Sequence, residues 1–366
     1  MKIAILLHDY SQLGGVEKVS ANLAKAFIDE KMPFWGILSL EAANDVPKIN
    51  YPKEINICVL NGKKIEDIIK QNSITHVIIQ IQLLSEAVKL SRILSGSGVK
   101  VISVLHNSPY LYVKWLYPKT NFRSYLSYLK TDIFSKIKNK IYFKSLIKYS
   151  SSLLMVSKRA KEEMVEILGK DYDNLDYLYN IVPCYNNSKN KINEKENLII
   201  YGGRLAKDKR VFETVKILSP LLKKYSNWQY HIYGEGEEEE MIREYLLINK
   251  INNIKLMGVV KNMDEYLSQS KICLLYSLFE GLPTIFIEAA KNQNVLVSSN
   301  SKGGVSDIIK KNGFIVNNDA ELYSKMEYLI ENEDVLEKMK LENNNILEKF
   351  NNRNILSKWY NILKVD

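Results

Sequence analysis

Cysteine is scarce in this 366-residue chain. The three present, Cys58, Cys184 and Cys273, lie far apart and never form a CxxC pair, so neither a disulfide framework nor a zinc site is supported. A reducing cytoplasm is the expected compartment. Long apolar runs are also missing. The opening run, Ile3 to Leu7, is far shorter than the apolar region of a signal peptide and is followed at once by His8 and Asp9. Nowhere do the roughly 18 consecutive apolar residues of a spanning helix occur, so any membrane contact is expected to be peripheral. There is no repeat at the periods of solenoids and no nucleic-acid-binding module.

What is present describes a globular protein. At 46% hydrophobic and 25% charged residues the chain can bury a substantial core, and its length suits two to three domains of about 150 residues each. The net charge of +9 would suit a nucleic acid, an anionic membrane or a phosphorylated ligand. Only its location decides among them.

An apolar strand over 3–7, a loop with Gly14 and Gly15, a helical pattern over 16–30 and a second strand near 34–40 form a β-loop-α-β unit. Further strands are expected over 55–60, 76–81, 99–105 and 152–157, with helices between most of them. The alternation implies a mostly parallel sheet covered on both faces. The segment SKNKINEKEN at 188–197 is polar and lacks an apolar period, so it reads as a surface linker with a domain boundary at 188/189. Beyond it, strands over 198–203, 228–234, 254–258, 271–277, 295–300 and 314–318 alternate with helices over 211–225, 237–249 and from Pro283. That is a second α/β domain. The last ~45 residues carry only helical periodicity.

The first candidate site is YSLFEGLPTIFIEAAKN at 276–292. Pro283 suits the first position of a helix, and Gly281 lets the preceding loop turn tightly. Glu280 therefore precedes the helix, and Glu288 lies about five residues in, some 7 Å along its axis at ~1.5 Å per residue. That offset is awkward for two carboxylates sharing one proton. It suits an extended ligand better, with an anion held at the helix N-terminus between them, and a sugar-diphosphate nucleotide has this layout. Two solvated surface glutamates are the plainer alternative.

The second is LIIYGGRLAKDKR, a strand that ends in Gly202 and Gly203 and is followed by Arg204 and then Lys209. Glycines allow backbone to approach a ligand closely. Arg204 offers a planar fork and Lys209 a mobile point charge, which together neutralise a leaving diphosphate without a metal. The alternative is a basic helix entry with solvent-facing cations, and Lys207 and Arg210 stand near enough to take the role of Lys209.

Gly14 and Gly15 open the first helix directly after the first strand but lack the full GxGxxG, so phosphate approach and an ordinary glycine turn both remain open. His106 closes the strand over 99–105 and should face the cleft that two tandem α/β domains predict at their strand ends. His8 ends the first strand, His76 begins one and His231 lies within one. The DxD of Asp171 and Asp173 sits in a polar loop and reads as surface. The acidic run Glu237 to Glu240 at a helix start is explained by the helix dipole.

The segment Tyr110 to Tyr149 holds nine Lys and Arg residues against the single acid Asp132, a net +8 that is close to the whole excess. Leu126, Leu129, Ile133, Ile137 and Ile141 recur at helical spacing, with Trp115 and many tyrosines nearby. An anionic membrane surface is its natural partner. A solvated helix face and a nucleic-acid patch compete, and since no nucleic-acid module appears elsewhere, no nucleic-acid partner is expected.

GGVEK at 14–18, HN at 106–107, YNIVP at 179–183, GGRLAKDK at 202–209, IYGEGEEEE at 232–240, MG at 257–258, FEGLPTIFIEAA at 279–290 and SKGGVSDII at 301–309 form an ordered series. The series resembles the retaining family-four glycosyltransferases of the two-domain GT-B type. The resemblance implies an α/β fold of two Rossmann-like domains facing each other across a cleft. Residues 1–188 would bind the acceptor, residues 189–350 the nucleotide sugar, and a C-terminal helix over 351–366, with Trp359 and Tyr360, would cross back to the first domain.

By the same resemblance Glu288 would hold the nucleotide ribose and Glu280 would lie by the donor hexose. Arg204 and Lys209 would bind the diphosphate, Gly15 beside Gly14 would approach phosphate from the first domain, and His106 would touch the donor sugar. Gly203, Gly234, Gly281, Leu282, Pro283 and Thr284 complete the expected nucleotide-sugar site, with Arg204, Lys209, Glu280 and His106 as its catalytic residues. The implied reaction moves a hexose or acetamidohexose from a nucleotide sugar, with uracil the default base, to a glycan acceptor with retention, using no metal or other cofactor.

No carboxylate in the motifs is an evident nucleophile of the kind found in retaining glycosidases, whose acid pair stands only ~5 Å apart, so a front-face displacement is expected. The basic stretch suggests a lipid-carried acceptor, such as an undecaprenyl diphosphate oligosaccharide, in capsule, exopolysaccharide or lipopolysaccharide assembly at the inner face of the membrane. A nucleotide-sugar epimerase or hydrolase of the same fold and a non-catalytic carbohydrate-binding protein are the rival functions.

Overall fold

A computed structural model describes residues 1–44, 46–114, 122–182 and 195–363, with residues 114 and 122–135 described as helical backbone alone. Most of the linker over 188–197, the 188/189 boundary, Pro183, Cys184, Trp115 and Lys119 lie outside the described residues, as do the side chains of Leu126, Leu129 and Ile133. The chain forms two compact units, one of residues 1–183 together with 352–366 and one of residues 184–351.

In the first unit seven strands make one sheet: β1 (Ile3–Asp9), β2 (Phe34–Glu41), β3 (Asn56–Val59), β4 (His76–Ile79), β5 (Lys100–Leu105), β6 (Ser152–Met155) and β7 (Leu175–Tyr177). Their order is β3-β2-β1-β4-β5-β6-β7, and every pairing is parallel. Helices cover both faces, which explains why the strands read as apolar runs without alternation: Ile3 to Leu7 are all 0% exposed. The sequence hides β7 because three residues are too few to show a period. β1 runs on to Asp9, so His8 lies inside the strand, one residue short of its end.

The second unit repeats the plan with β8 (Glu196–Gly202), β9 (Gln229–Tyr233), β10 (Ile254–Gly258), β11 (Ser270–Leu275), β13 (Val295–Ser299) and β15 (Gly313–Val316), in the order β10-β9-β8-β11-β13-β15 and again wholly parallel. A separate two-residue pair, β12 (Phe279–Glu280) with β14 (Lys302–Gly303), is also parallel and too short to be read from sequence. In each sheet the strand order reverses once, between β1 and β4 and between β8 and β11. Loops leaving the carboxyl ends of those strands diverge there and leave room for a ligand.

The helix Asn352–Leu363 belongs to the first unit. Ile355, Trp359 and Leu363 recur four residues apart and are buried, one stripe along one face. Trp359 meets Phe27 edge to face with ring centroids 5.8 Å apart, and Asn352 donates to Val182 O at 2.8 Å. Tyr360, expected to share this contact, stays 48% exposed because it points a quarter-turn away from the stripe.

Candidate active site

The richest constellation gathers where β8 and β11 diverge. β8 ends in Gly202, and a Cβ there would stand 3.2 Å from Ile285 Cδ1, so the first turn of the helix Thr284–Lys291 lies against the strand end. Gly203 N donates to Tyr233 O at 3.0 Å, Leu205 N to Glu235 O at 2.9 Å and Gly234 N to Gly258 O at 2.8 Å, lacing together the loops that follow β8, β9 and β10. Gly234 has φ +139°, and a Cβ on it would lie 1.9 Å from Gly203 O. The close approach that these glycines permit is therefore made by the chain to its own backbone.

From this laced base rise the cations. Arg204 is exposed, its carbonyl pinned by the Tyr201 hydroxyl at 2.7 Å. Lys209 donates from Nζ to Glu280 Oε1 at 2.7 Å, with Phe279 O at 3.5 Å and the Asp208 carboxylate at 4.0 Å. Backbone bonds brace both partners. Leu278 N donates to Asp208 O at 2.8 Å, and Gly304 N donates to Gly281 O at 2.8 Å and to Glu280 O at 3.2 Å. Of the three cations that sequence left open, Lys209 is the one that bonds Glu280. Lys207 is exposed, and Arg210 turns to Asp319 at 3.2 Å and stacks its guanidinium 4.2 Å from the Tyr276 ring centre.

Burial excludes the solvated reading of both glutamates: the Glu280 side chain is 12% exposed and Glu288 is 3% exposed. Glu288 is the fifth residue of its helix and lies near Cys273, whose thiol is pushed up by burial and then by that carboxylate. Pro283 is the cap of this helix, not its first residue, with φ −69° and ψ 94°, so the helix opens one residue later than expected. Gly281, Leu282 and Pro283 are buried and Thr284 is half-buried, which leaves the opening turn's N–H groups as the polar feature of this end.

The acidic run Glu237 to Glu240 does more than complement a helix dipole. The helix begins only at Glu239. Glu238 is 3% exposed and accepts from Phe212 N at 3.2 Å, and Glu237 accepts from Lys207 N at 3.2 Å. Burial raises the Glu238 carboxyl above its ordinary range, against the lowering by its Phe212 hydrogen bond. Sequence reasoning missed this role because the partners sit some thirty residues upstream; the signal was a carboxylate run directly after a strand-end glycine pair.

In the first unit, Gly14 caps the helix Gly15–Asp29. A Cβ on Gly14 would meet Glu17 Oε2 at 2.1 Å, whereas one on Gly15 would meet nothing within 4 Å. The Glu17 carboxylate thus lies over the helix start, where a phosphate was expected. His106 follows β5 directly, with Nε2 2.9 Å from Gln80 Oε1, and burial holds the imidazole neutral by lowering its pKa to about 4. His106, Gln80, Asn180 and Trp359 line one small cavity of this unit. Elsewhere, exposed His8 pairs with Glu86 at 2.9 Å. Asp171 and Asp173 are exposed, with Lys161 3.6 Å from Asp171. Among the described residues no group of three or more His, Cys, Asp or Glu side chains is placed to hold a metal ion.

Residues 186–345, nearly the whole second unit, match the family model described as glycosyl transferases group 1. The second unit is thus similar to the glycosyl transferases of group 1, and the two parallel-sheet units have the GT-B fold. It is 27% identical over 227 residues to the poly(ribitol-phosphate) α-N-acetylglucosaminyltransferase of Staphylococcus aureus, a match covering 60% of this chain and 45% of that protein. It is 26% identical over 291 residues to the capsular polysaccharide biosynthesis glycosyltransferase CapH of Staphylococcus aureus, covering 73% of this chain and 79% of that one. The chain thus spans less than half the length of the first relative. The structure of a point mutant of S. aureus TarM, in complex with fondaparinux, α-GlcNAc-glycerol and UDP, superposes with a TM-score of 0.75 over 100% of both chains at 14% identity. The glycine-laced strand ends, the Lys209–Glu280 pair and Glu288 all fall inside the matched residues.

Proposed function

We propose that this protein transfers a hexose or acetamidohexose from a nucleotide sugar, UDP-linked by default, to a lipid-carried glycan in the assembly of a surface polysaccharide, with retention at the anomeric carbon. The observation that carries the reading is the braced Lys209–Glu280 pair at 2.7 Å, set at the strand ends of the second unit beside the start of the Thr284–Lys291 helix. The α-N-acetylglucosaminyl transfer in the name of one S. aureus relative, the capsular role in the name of the other and the UDP in the TarM complex support it.

Chemically, Arg204 and Lys209 would bind the diphosphate and stabilise the charge that develops as it leaves. Glu280 keeps the Lys209 ammonium aimed while standing near the donor hexose, Glu288 takes the ribose, and the helix N–H groups take phosphate oxygen. The bond from anomeric carbon to phosphate oxygen breaks on the face where the acceptor oxygen bonds. The acceptor's proton passes to a diphosphate oxygen, and a nucleoside diphosphate departs. By the family resemblance His106 would touch the donor sugar, and burial keeps its imidazole neutral. No metal enters this scheme.

The test is turnover with UDP-Gal, UDP-Glc, UDP-GlcNAc, UDP-GalNAc and GDP-Man in the presence of a lipid-linked acceptor. One donor should give a glycoside of unchanged anomeric configuration. Free or epimerised sugar nucleotide without a glycoside would support the rival enzyme, binding without turnover the carbohydrate-binding protein, and a trapped glycosyl-enzyme adduct would refute the front-face step.

Within the basic helix Phe122–Tyr149, Ile137 and Ile141 are each 56% exposed, and Lys136, Lys138, Lys144 and Lys148 are exposed around them. Among the described residues no helix is long and apolar enough to cross a membrane. This surface suits peripheral docking on anionic lipid, where each lysine contributes about 1 kcal/mol and screening acts over ~8 Å. The protein should co-sediment with phosphatidylglycerol vesicles at low salt and come off at about 0.5 M. Binding that ignores salt, or equal binding to neutral phosphatidylcholine, would count against the docking.

A further inference from the structure

We infer that Glu238 is a positioning residue for Lys209, its carboxylate acting through the backbone of Phe212 three residues after it. The loop that follows β9 grips the segment from Leu205 to Phe212 at four points. Leu205 N donates to Glu235 O at 2.9 Å, and Glu238 N donates back to Leu205 O at 3.0 Å. Glu237 accepts from Lys207 N, two residues before Lys209, and Glu238 accepts from Phe212 N, three residues after it, both at 3.2 Å. Gly236, at φ +157°, lets the loop come this close, since a Cβ there would stand 2.5 Å from Leu205 O.

The helix Val211–Lys224 needs this help. Its own cap residue, Arg210, sits in the left-handed region at φ 52° and supplies no side-chain bond to the first turn. With the cap residue's backbone held left-handed, the first turn finds its acceptor instead in a carboxylate buried to 3% exposure, with Glu213 and Glu237 nearby. What the carboxylate adds is an acceptor oxygen that reaches Phe212 N from another loop, and this hydrogen bond helps set the register of the turn from which Lys209 reaches Glu280.

This rests on the glycosyl-transfer reading, and a mutant cycle separates the two. Glu238→Ala should lower kcat by about 10- to 100-fold with donor KM changed less than about 3-fold, because Lys209 is asked to act chiefly on the leaving diphosphate. Glu238→Gln, which keeps an acceptor oxygen, should recover to within about 5-fold of wild type. In a Lys209→Ala background Glu238→Ala should add less than about 2-fold, since residues acting as a unit are not additive. Should Glu238→Ala not fold, Glu238→Asp, which keeps the charge and shortens the reach, takes its place in the same cycle. Wild-type kcat in Glu238→Ala, or in Glu238→Asp where that variant takes its place, or an equal loss with and without Lys209, overturns the inference alone. Wild-type turnover in Lys209→Ala, or no transfer by the native protein, overturns the functional reading itself.

Discussion

Lys209→Ala is expected to lower turnover by about 10²- to 10³-fold, equivalent to about 2.7–4 kcal/mol of charge stabilisation at the leaving group. Donor affinity should change far less, because Arg204 and the helix N-terminus remain. Stability should fall as well, by about 1–3 kcal/mol, since Glu280 would keep a carboxylate only 12% exposed with its 2.7 Å partner gone. The two effects are separable by measuring kcat and chemical denaturation on the same variant. In Glu280→Gln the ammonium still has an amide oxygen to meet, so the loss of stability should be smaller. Turnover within about 3-fold of wild type in Lys209→Ala would remove the central electrostatic claim.

Gly234→Ala carries the largest expected effect on folding of the second unit. An L side chain at φ +139° is strained, and its Cβ would need to pass within 1.9 Å of Gly203 O, a backbone atom that cannot rotate aside. Strain and collision together should cost about 2–4 kcal/mol, and UDP affinity should fall at least about 10-fold as the strand-end loops part. Gly258→Ala is the internal comparison. It also has a positive φ, +71°, but a Cβ there meets nothing within 4 Å, so only the conformational cost of about 1–2 kcal/mol applies. Equal losses at the two positions would mean that the approach of Gly234 to Gly203 is unimportant.

These cases also mark where sequence reading stops. Strands buried on both faces announce themselves as apolar runs, and their alternation with helical periods yields both sheets and their parallel sense. The pairs β12–β14 and the short β7 escape because two or three residues carry no period. In the site, strand-end glycines and the residue types around them are legible, since chemistry follows composition and position. Partnership is not. Lys209 and Glu280 are 71 residues apart, and Glu238 and Phe212 26 apart; only the sheet order that stacks β9, β8 and β11 side by side brings them together. The same blindness left Lys207, Lys209 and Arg210 interchangeable on paper, whereas a left-handed turn at Arg210 sends its guanidinium to Tyr276 and Asp319. Glu17 is a further instance, because a glycine pair at a helix start says nothing about a carboxylate three residues on that folds back over it.

The helix of residues 352–363 closes a core whose other members are made more than 150 residues earlier, as the bond from Asn352 to Val182 records. During synthesis the second unit can therefore be complete while the first still exposes the patch around Phe27 that Trp359 will cover. Domains usually mature in the order they leave the ribosome. Here the earliest residues finish last, and a chain truncated near residue 350 should present a folded second unit tethered to a first unit still open to chaperones.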